Sequence, residues 1–167
     1  MTEAPVLFTV YPGDCDTFGH LNQAAFLAYF ERARWQMLAG GPGMDLFGRA
    51  GVWPAVRHAV IDYHAPAYPG HTLRFHLAVT RLGRTSFTMR QVARRESDDV
   101  LIATAESVFV CIDKTGAAVP VPAEVAALQR LCQVVGVASD VADRIADGML
   151  AASGGAGAAG GAATAPL

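Results

Sequence analysis

Apolar and polar residues along this chain change rhythm after its first third. Across residues 22–39 the apolar positions fall almost all round a helical wheel: Ala24, Ala25, Phe26, Leu27, Ala28 and Phe30, then Ala33, Trp35, Met37 and Leu38. That distribution predicts a buried helix. Asn22 is suited to cap its first amides, and Gly40-Gly41-Pro42-Gly43 ends it. Ahead of it, Val6, Phe8 and Val10 share one face over 5–12, a strand broken by Pro12-Gly13-Asp14. Behind it the period falls to two. Residues 56–65 read as a strand stopped by Pro66 and Pro69-Gly70. Residues 72–82 alternate, with Leu73, Phe75, Leu77 and Val79 on one face and Arg74, His76 and Thr80 on the other. Residues 85–95 place Phe87 and Met89 together, and 100–113 form a long apolar strand. Gly83-Arg84 and Ser97-Asp98-Asp99 supply the turns. A short helical turn is expected over 44–49, and a last helix over 123–134 behind Pro122.

This order predicts an α+β domain in which one antiparallel sheet wraps a single long apolar helix. The domain takes in residues 1–134. Beyond it, 139–150 have only a weak amphipathic pattern. Residues 151–167 are almost wholly Ala and Gly, which cannot bury a core, so 135–167 read as a weakly structured to disordered tail.

Composition narrows the function classes. The chain has 167 residues, 52% hydrophobic and 17% charged, which suits one well-buried domain. A net charge of −2 argues against a nucleic-acid binder, which would usually carry a basic face. There is no apolar run long enough for a membrane span, and the first ten residues lack the basic, then apolar, pattern of a secretory signal. Cys15, Cys111 and Cys132 are odd in number and contain no CxxC pair, so neither a zinc site nor a disulfide framework is expected. His58, His64, His71 and His76 have no metal-ligand spacing. A cytoplasmic protein without metal or cofactor is the expectation.

The chemistry concentrates in residues 11–34, where a short acidic loop runs into the apolar helix. Asp14 and Asp16 lie close to the helix start. A helix N-terminus offers unpaired N–H groups and a partial positive charge. A carboxylate beside it can attack a carbonyl held there, or activate water against it, which suits acyl transfer. Taken alone, Asp16 reads first as a loop-capping aspartate that accepts backbone N–H bonds. Asp14 reads as a residue that holds the loop. His20 either meets substrate or pins the loop. Cys15 beside His20 would suggest a thiol nucleophile, but between two outward aspartates in extended backbone it points to the core. Glu31 and Arg34, three apart, suggest an ion pair, although Glu31 could instead face a cleft. Arg81, Arg84, Arg90, Arg94 and Arg95 give the sheet one basic region.

These residues carry a resemblance. Asp14, Asp16, Gly19, His20 and Asn22 match the form D-x-D-x-x-G-H-x-N that precedes the helix in hotdog-fold acyl-CoA thioesterases of the 4-hydroxybenzoyl-CoA thioesterase-like group. Downstream, Pro66, Gly70 and Leu73, and then Gly83-Arg84-Thr85-Ser86-Phe87, are similar to that family's strand junctions. The resemblance covers roughly residues 5–132 and implies a single hotdog domain. It implies hydrolysis of an acyl-CoA or acyl-carrier-protein thioester, with Asp16 as the catalytic carboxylate. Gly19, His20, Asn22 and Gln23 would polarise or position the carbonyl, and Arg84, Thr85 and Ser86 would meet coenzyme A. Gln23 departs from the family's frequent Asn-Asn pair, and Arg84 lacks basic neighbours.

The resemblance further implies a homodimer or homotetramer paired across an open edge, for which 56–65 is the candidate strand. Two other functions compete: a hotdog dehydratase or hydratase, and a non-catalytic acyl-CoA-binding module. Phe18, Phe26, Trp35, Trp53 and Tyr63 are candidates to line an acyl pocket that is either aromatic or aliphatic.

Overall fold

The computed structural model describes residues 5–40, 43 and 45–125. In chain order they form β1 (Val6–Thr9), a 3-10 turn (Pro12–Asp14), α1 (Gln23–Gly40), α2 (Leu46–Arg49), β2 (Trp53–Tyr63), β3 (Thr72–Leu82), β4 (Ser86–Arg95) and β5 (Leu101–Ile112). The strands make one antiparallel sheet in the order β1-β3-β4-β5-β2. The last three strands are a meander, because their short turns allow only neighbouring antiparallel pairing. β2 precedes them in sequence but pairs with β5, so the chain crosses the sheet before β3. β1 and β2 are therefore the two edges. The strand expected to be open is indeed at an edge.

The α+β arrangement of a sheet with one long helix on its face is as expected, with shifted boundaries. β1 stops at Thr9 because Pro12 opens the 3-10 turn. β2 begins three residues earlier than its pattern suggests and carries a bulge between Val56 and His58. Only residues 123–125 of the expected last helix fall among the described residues, and they are helical. Its remainder, Cys132 and the 135–167 tail lie outside them.

α1 packs along the inner sheet face in two stretches. Near its start Phe26, Tyr29, Phe30 and Ala33 pack with Leu73 and Phe75. Phe30 meets Phe75 edge-on, with ring centroids 5.5 Å apart. Ala33, Ala93, Ala103 and Ala105 are all buried here, and such small side chains let the helix approach the sheet closely. Toward its end Met37 and Leu38 pack with Phe47, Phe87, Met89 and Phe109. The helix is buried on this side only. Leu27 and Trp35 remain exposed, as do Trp53, Val56 and Tyr63 of β2.

Gln91 ties helix and sheet together. It is fully buried, at an inward position of β4 two residues beyond Met89. Its Nε2 donates to the Phe30 carbonyl at 2.8 Å, and its Oε1 accepts from Arg34 Nη1 at 2.8 Å. An amide buried this deeply is tolerable because both ends are bonded.

Candidate active site

The loop ahead of α1 is built as a small closed unit. Cys15 and Leu21 form an antiparallel bridge, so residues 16–20 make a tight loop. Gly19 closes it at φ 83°, in the left-handed region where a side chain would be strained. Its N–H donates to the Asp16 carbonyl at 3.0 Å, and the Asp16 N–H donates to the His20 carbonyl at 3.0 Å. Leu21 N–H reaches the Ala67 carbonyl at 2.8 Å, which pins the loop to the segment before β3.

The two aspartates are held differently. Asp14 Oδ2 accepts the Tyr29 hydroxyl at 2.6 Å and the Tyr11 N–H at 3.4 Å. Asp14 thus holds the loop against α1, as its position suggested. Tyr29 is buried, and burial together with this carboxylate pushes its pKa well above the usual phenol range. Asp16 Oδ1 accepts the Phe18 N–H at 2.9 Å, and Oδ2 lies 3.2 Å from His20 Nδ1. Both side chains stay open to solvent, Asp16 at 24% and His20 at 42%. The His20 ring stacks with that of Phe18 at 6.2 Å, and Phe18 is itself 83% exposed. The carboxylate is oriented rather than buried.

Asn22 caps α1: its Oδ1 accepts the Ala24 N–H at 2.8 Å. The Gly19 and Asn22 N–H groups are engaged, the latter with the Asp14 carbonyl at 2.9 Å. The N–H groups of His20 and Gln23 have no partner among the described residues. Oriented carboxylate, exposed imidazole and open amides therefore lie together at one end of the helix. Such a constellation can activate an oxygen nucleophile and stabilise an oxyanion.

Cys15 takes no part. Its thiol packs against the core and lies 3.6 Å from the Tyr11 carbonyl, while burial and the adjacent aspartates raise its pKa. A thiol held protonated is a poor nucleophile.

Arg84, Thr85 and Ser86 are not brought to this loop. They sit at the β3–β4 turn, where Thr85 accepts the Cys111 N–H at 2.9 Å. Leu82, just before the turn, packs with Met37 and Leu38 near the end of α1. At ~1.5 Å per residue the helix separates these ends by about 25 Å. The Arg84 side chain is exposed, with no partner among the described residues. Three other members of the basic region are engaged: Arg94 and Arg95 pair with Asp99 and Asp98 beside the β4–β5 turn, and Arg90 faces Glu106 at 4.0 Å.

The ion pair expected between Glu31 and Arg34 does not form among the described residues. Arg34 turns inward to Gln91, and Glu31 lines the same cavity as Arg34, from an exposed position. Of the aromatic candidates only Trp35 lines that cavity. Phe26 is in the core with Tyr63 edge-on at 5.3 Å. Gln91 escaped the sequence reading, although a polar residue at an inward position of an alternating strand is a legible signal of a buried hydrogen-bond pin. No group of three or more metal-ligating side chains occurs among the described residues, and no helix among them is long and apolar enough to cross a membrane.

A sequence profile of the thioesterase-like superfamily matches residues 10–129. The chain belongs to that superfamily. The match includes the Asp14–Asn22 loop, α1 and the whole β2–β5 run. Among characterised proteins, the chain is similar to the long-chain acyl-CoA thioesterase FadM of Escherichia coli K12, with 29% identity over 59% of this chain and 74% of FadM. It is 32% identical to the acyl-CoA thioester hydrolase YbgC of Escherichia coli O6:H1, over 62% of this chain and 78% of YbgC. The fold is shared with the 1,4-dihydroxy-2-naphthoyl-CoA thioesterase of Synechocystis, at a TM-score of 0.68 and 23% identity over 75% of this chain and 93% of that one. The thioesterase-like architecture is thus the hotdog arrangement that the loop motif implied.

Proposed function

We propose that this thioesterase-superfamily enzyme hydrolyses an acyl-CoA thioester with Asp16 as its reacting carboxylate. The observation that carries the proposal is the Asp16 carboxylate itself. It is held by the Phe18 N–H and His20, solvent-accessible, and set just ahead of α1. The names of the FadM and YbgC relatives supply the substrate class.

A thioester carbonyl is already electrophilic, so a base or nucleophile and oxyanion stabilisation suffice. With the carbonyl oxygen directed at the open Gln23 amide, Asp16 either attacks the carbon or removes a proton from an attacking water. The carbonyl π pair moves onto oxygen, and collapse expels coenzyme A as thiolate. On the base route, the proton that Asp16 takes from water would pass through His20, which lies on Asp16 Oδ2, to the thiolate. Attack by Asp16 would leave an anhydride that water then opens. In a single turnover in ¹⁸O-water, label in Asp16 marks an anhydride that water opens at the aspartyl carbonyl.

The deciding variant is Asp16→Asn, with coenzyme A release followed by a thiol reagent. The expected outcome is a fall in kcat of about 10²-fold or more, the scale of lost acid–base or nucleophilic help, with little change in KM. Near-normal kcat in the variant would sink the assignment. Hydration of an enoyl-CoA without thiol release would favour a hydratase, and binding without turnover a non-catalytic module.

Because one chain holds Asp16 and Arg84 at opposite ends of α1, a site using both draws them from two copies. We infer a homodimer, or a dimer of such dimers, joined across the free edge of β2.

A further inference from the structure

We propose that the cavity beneath the C-terminal half of α1 binds a carboxylic acid with a short apolar or aromatic stem, its carboxylate held by Arg34. The cavity has a volume of about 110 Å³. An enclosed apolar cavity of ~150 Å³ admits benzene, so this smaller, partly open space suits a few methylenes or a ring that stays partly at its mouth. Met37, Leu38, Val79, Phe87, Met89 and Phe109 are part of its apolar wall. The Phe47, Phe87 and Phe109 rings lie nearly parallel, with interplanar angles of 10° and 12°, and present broad apolar surface.

One cation reaches into this lining. Arg34 is half-buried, with its guanidinium 5.3 Å over the Phe109 ring and Nη1 on Gln91 Oε1 at 2.8 Å. A guanidinium carries five N–H donors, and that one hydrogen bond is all it makes among the described residues. None of the ion pairs among those residues includes it. Burial draws its pKa below the usual arginine value, and the nearby Glu31 offsets this in part. A charge moved partly out of water is costly when, as here, the neighbouring carboxylate of Glu31 stands beyond ion-pair distance. The unused donors have the planar fork geometry that receives a carboxylate in two parallel hydrogen bonds.

Apolar walls for the stem and a free fork for the head describe a carboxylic acid. From Gln23 to Arg34 the helix rises about 16 Å, at ~1.5 Å per residue, so a carboxylate held here is not the carbonyl that meets Asp16 in the same chain. The proposal therefore stands apart from the catalytic role of Asp16.

Calorimetric titration of the full chain with benzoate and hexanoate, against benzamide and hexanamide as uncharged counterparts, tests it. Saturable binding of the acids is expected, with the amides weaker by about tenfold or more. Arg34→Gln should remove that preference. Val79→Phe fills the cavity without touching Arg34 and should weaken acids and amides together, which keeps the test decisive if Arg34→Gln fails to fold. Progress curves with the matching acyl-CoA identify the source: inhibition relieved in the Arg34 variant marks the enzyme's own product, and binding without inhibition marks an acid supplied from elsewhere. Either result supports the site. Equal binding of acids and amides, acid binding that survives both substitutions, or no saturable binding overturns it.

Discussion

Tyr29 shows how much one side chain can decide about the candidate site. Its hydroxyl has a single proton and two acceptors in reach, the Thr9 carbonyl at 3.2 Å and Asp14 Oδ2 at 2.6 Å. The shorter, charged partner takes it. Tyr29→Phe leaves Asp14 without this donor and is expected to cost about 1–2 kcal/mol, toward the low end for a bond to a charged group because Asp14 is partly open to water. Urea unfolding measures the loss, and an unchanged midpoint would remove Tyr29 from the loop's support. Arg84 offers a second test. If its free guanidinium meets the coenzyme A phosphates, Arg84→Ala should raise KM for acyl-CoA with kcat nearly intact, because the contact is equal in ground and transition states. A short thioester lacking the nucleotide should be barely affected. Equal effects on both substrates would show that Arg84 holds no nucleotide. At this scale the loop motif was readable in the chain. The i,i+3 spacing of Glu31 and Arg34 misled, because helical spacing says nothing of a buried acceptor such as Gln91 on a distant strand.

Among the elements, β3 carries a titration that should appear in stability. His76 is partly buried on the outer sheet face, and its Nε2 accepts from Arg74 Nε at 3.2 Å. Burial first, and then the charges of Arg74 and Arg94, hold its pKa below the usual 6.5, with Asp99 and Glu96 opposing. Below that value the unfolded chain binds the proton more readily than the folded one. The contribution of neutral His76 is therefore complete above about pH 6.5 and is lost as pH falls toward the depressed folded value. The melting temperature should decline from about pH 7.5 to about pH 5.5, and His76→Gln should flatten that decline. An identical slope in the variant would assign the titration to other groups. The alternation of 72–82 showed which residues of β3 face outward. It did not show that Arg74 is already committed to Glu96 and Asp99, because those partners arrive through the β4–β5 turn.

For the whole molecule, the free edge of β2 is the dominant feature. Trp53, Val56 and Tyr63 on this strand, with Leu27 and Trp35 on α1, leave large apolar surface in water. An open strand edge with such surface is a pairing template. Light scattering is expected to find a dimer or larger at micromolar concentration, and a stable, active monomer would overturn the shared-site proposal. The sequence by itself determined the element types, the inward faces of the strands and the loop-to-helix motif. Those depend on local spacing, on caps and turns, and on a pattern of neighbouring residues. Only the tertiary structure decided that β2 pairs with β5, that α1 is covered on one side alone, and that Arg34 turns to Gln91 instead of pairing with Glu31. Each of these depends on contacts between residues far apart in the chain, and the chain's local periodicity carries no record of which distant element will supply the partner.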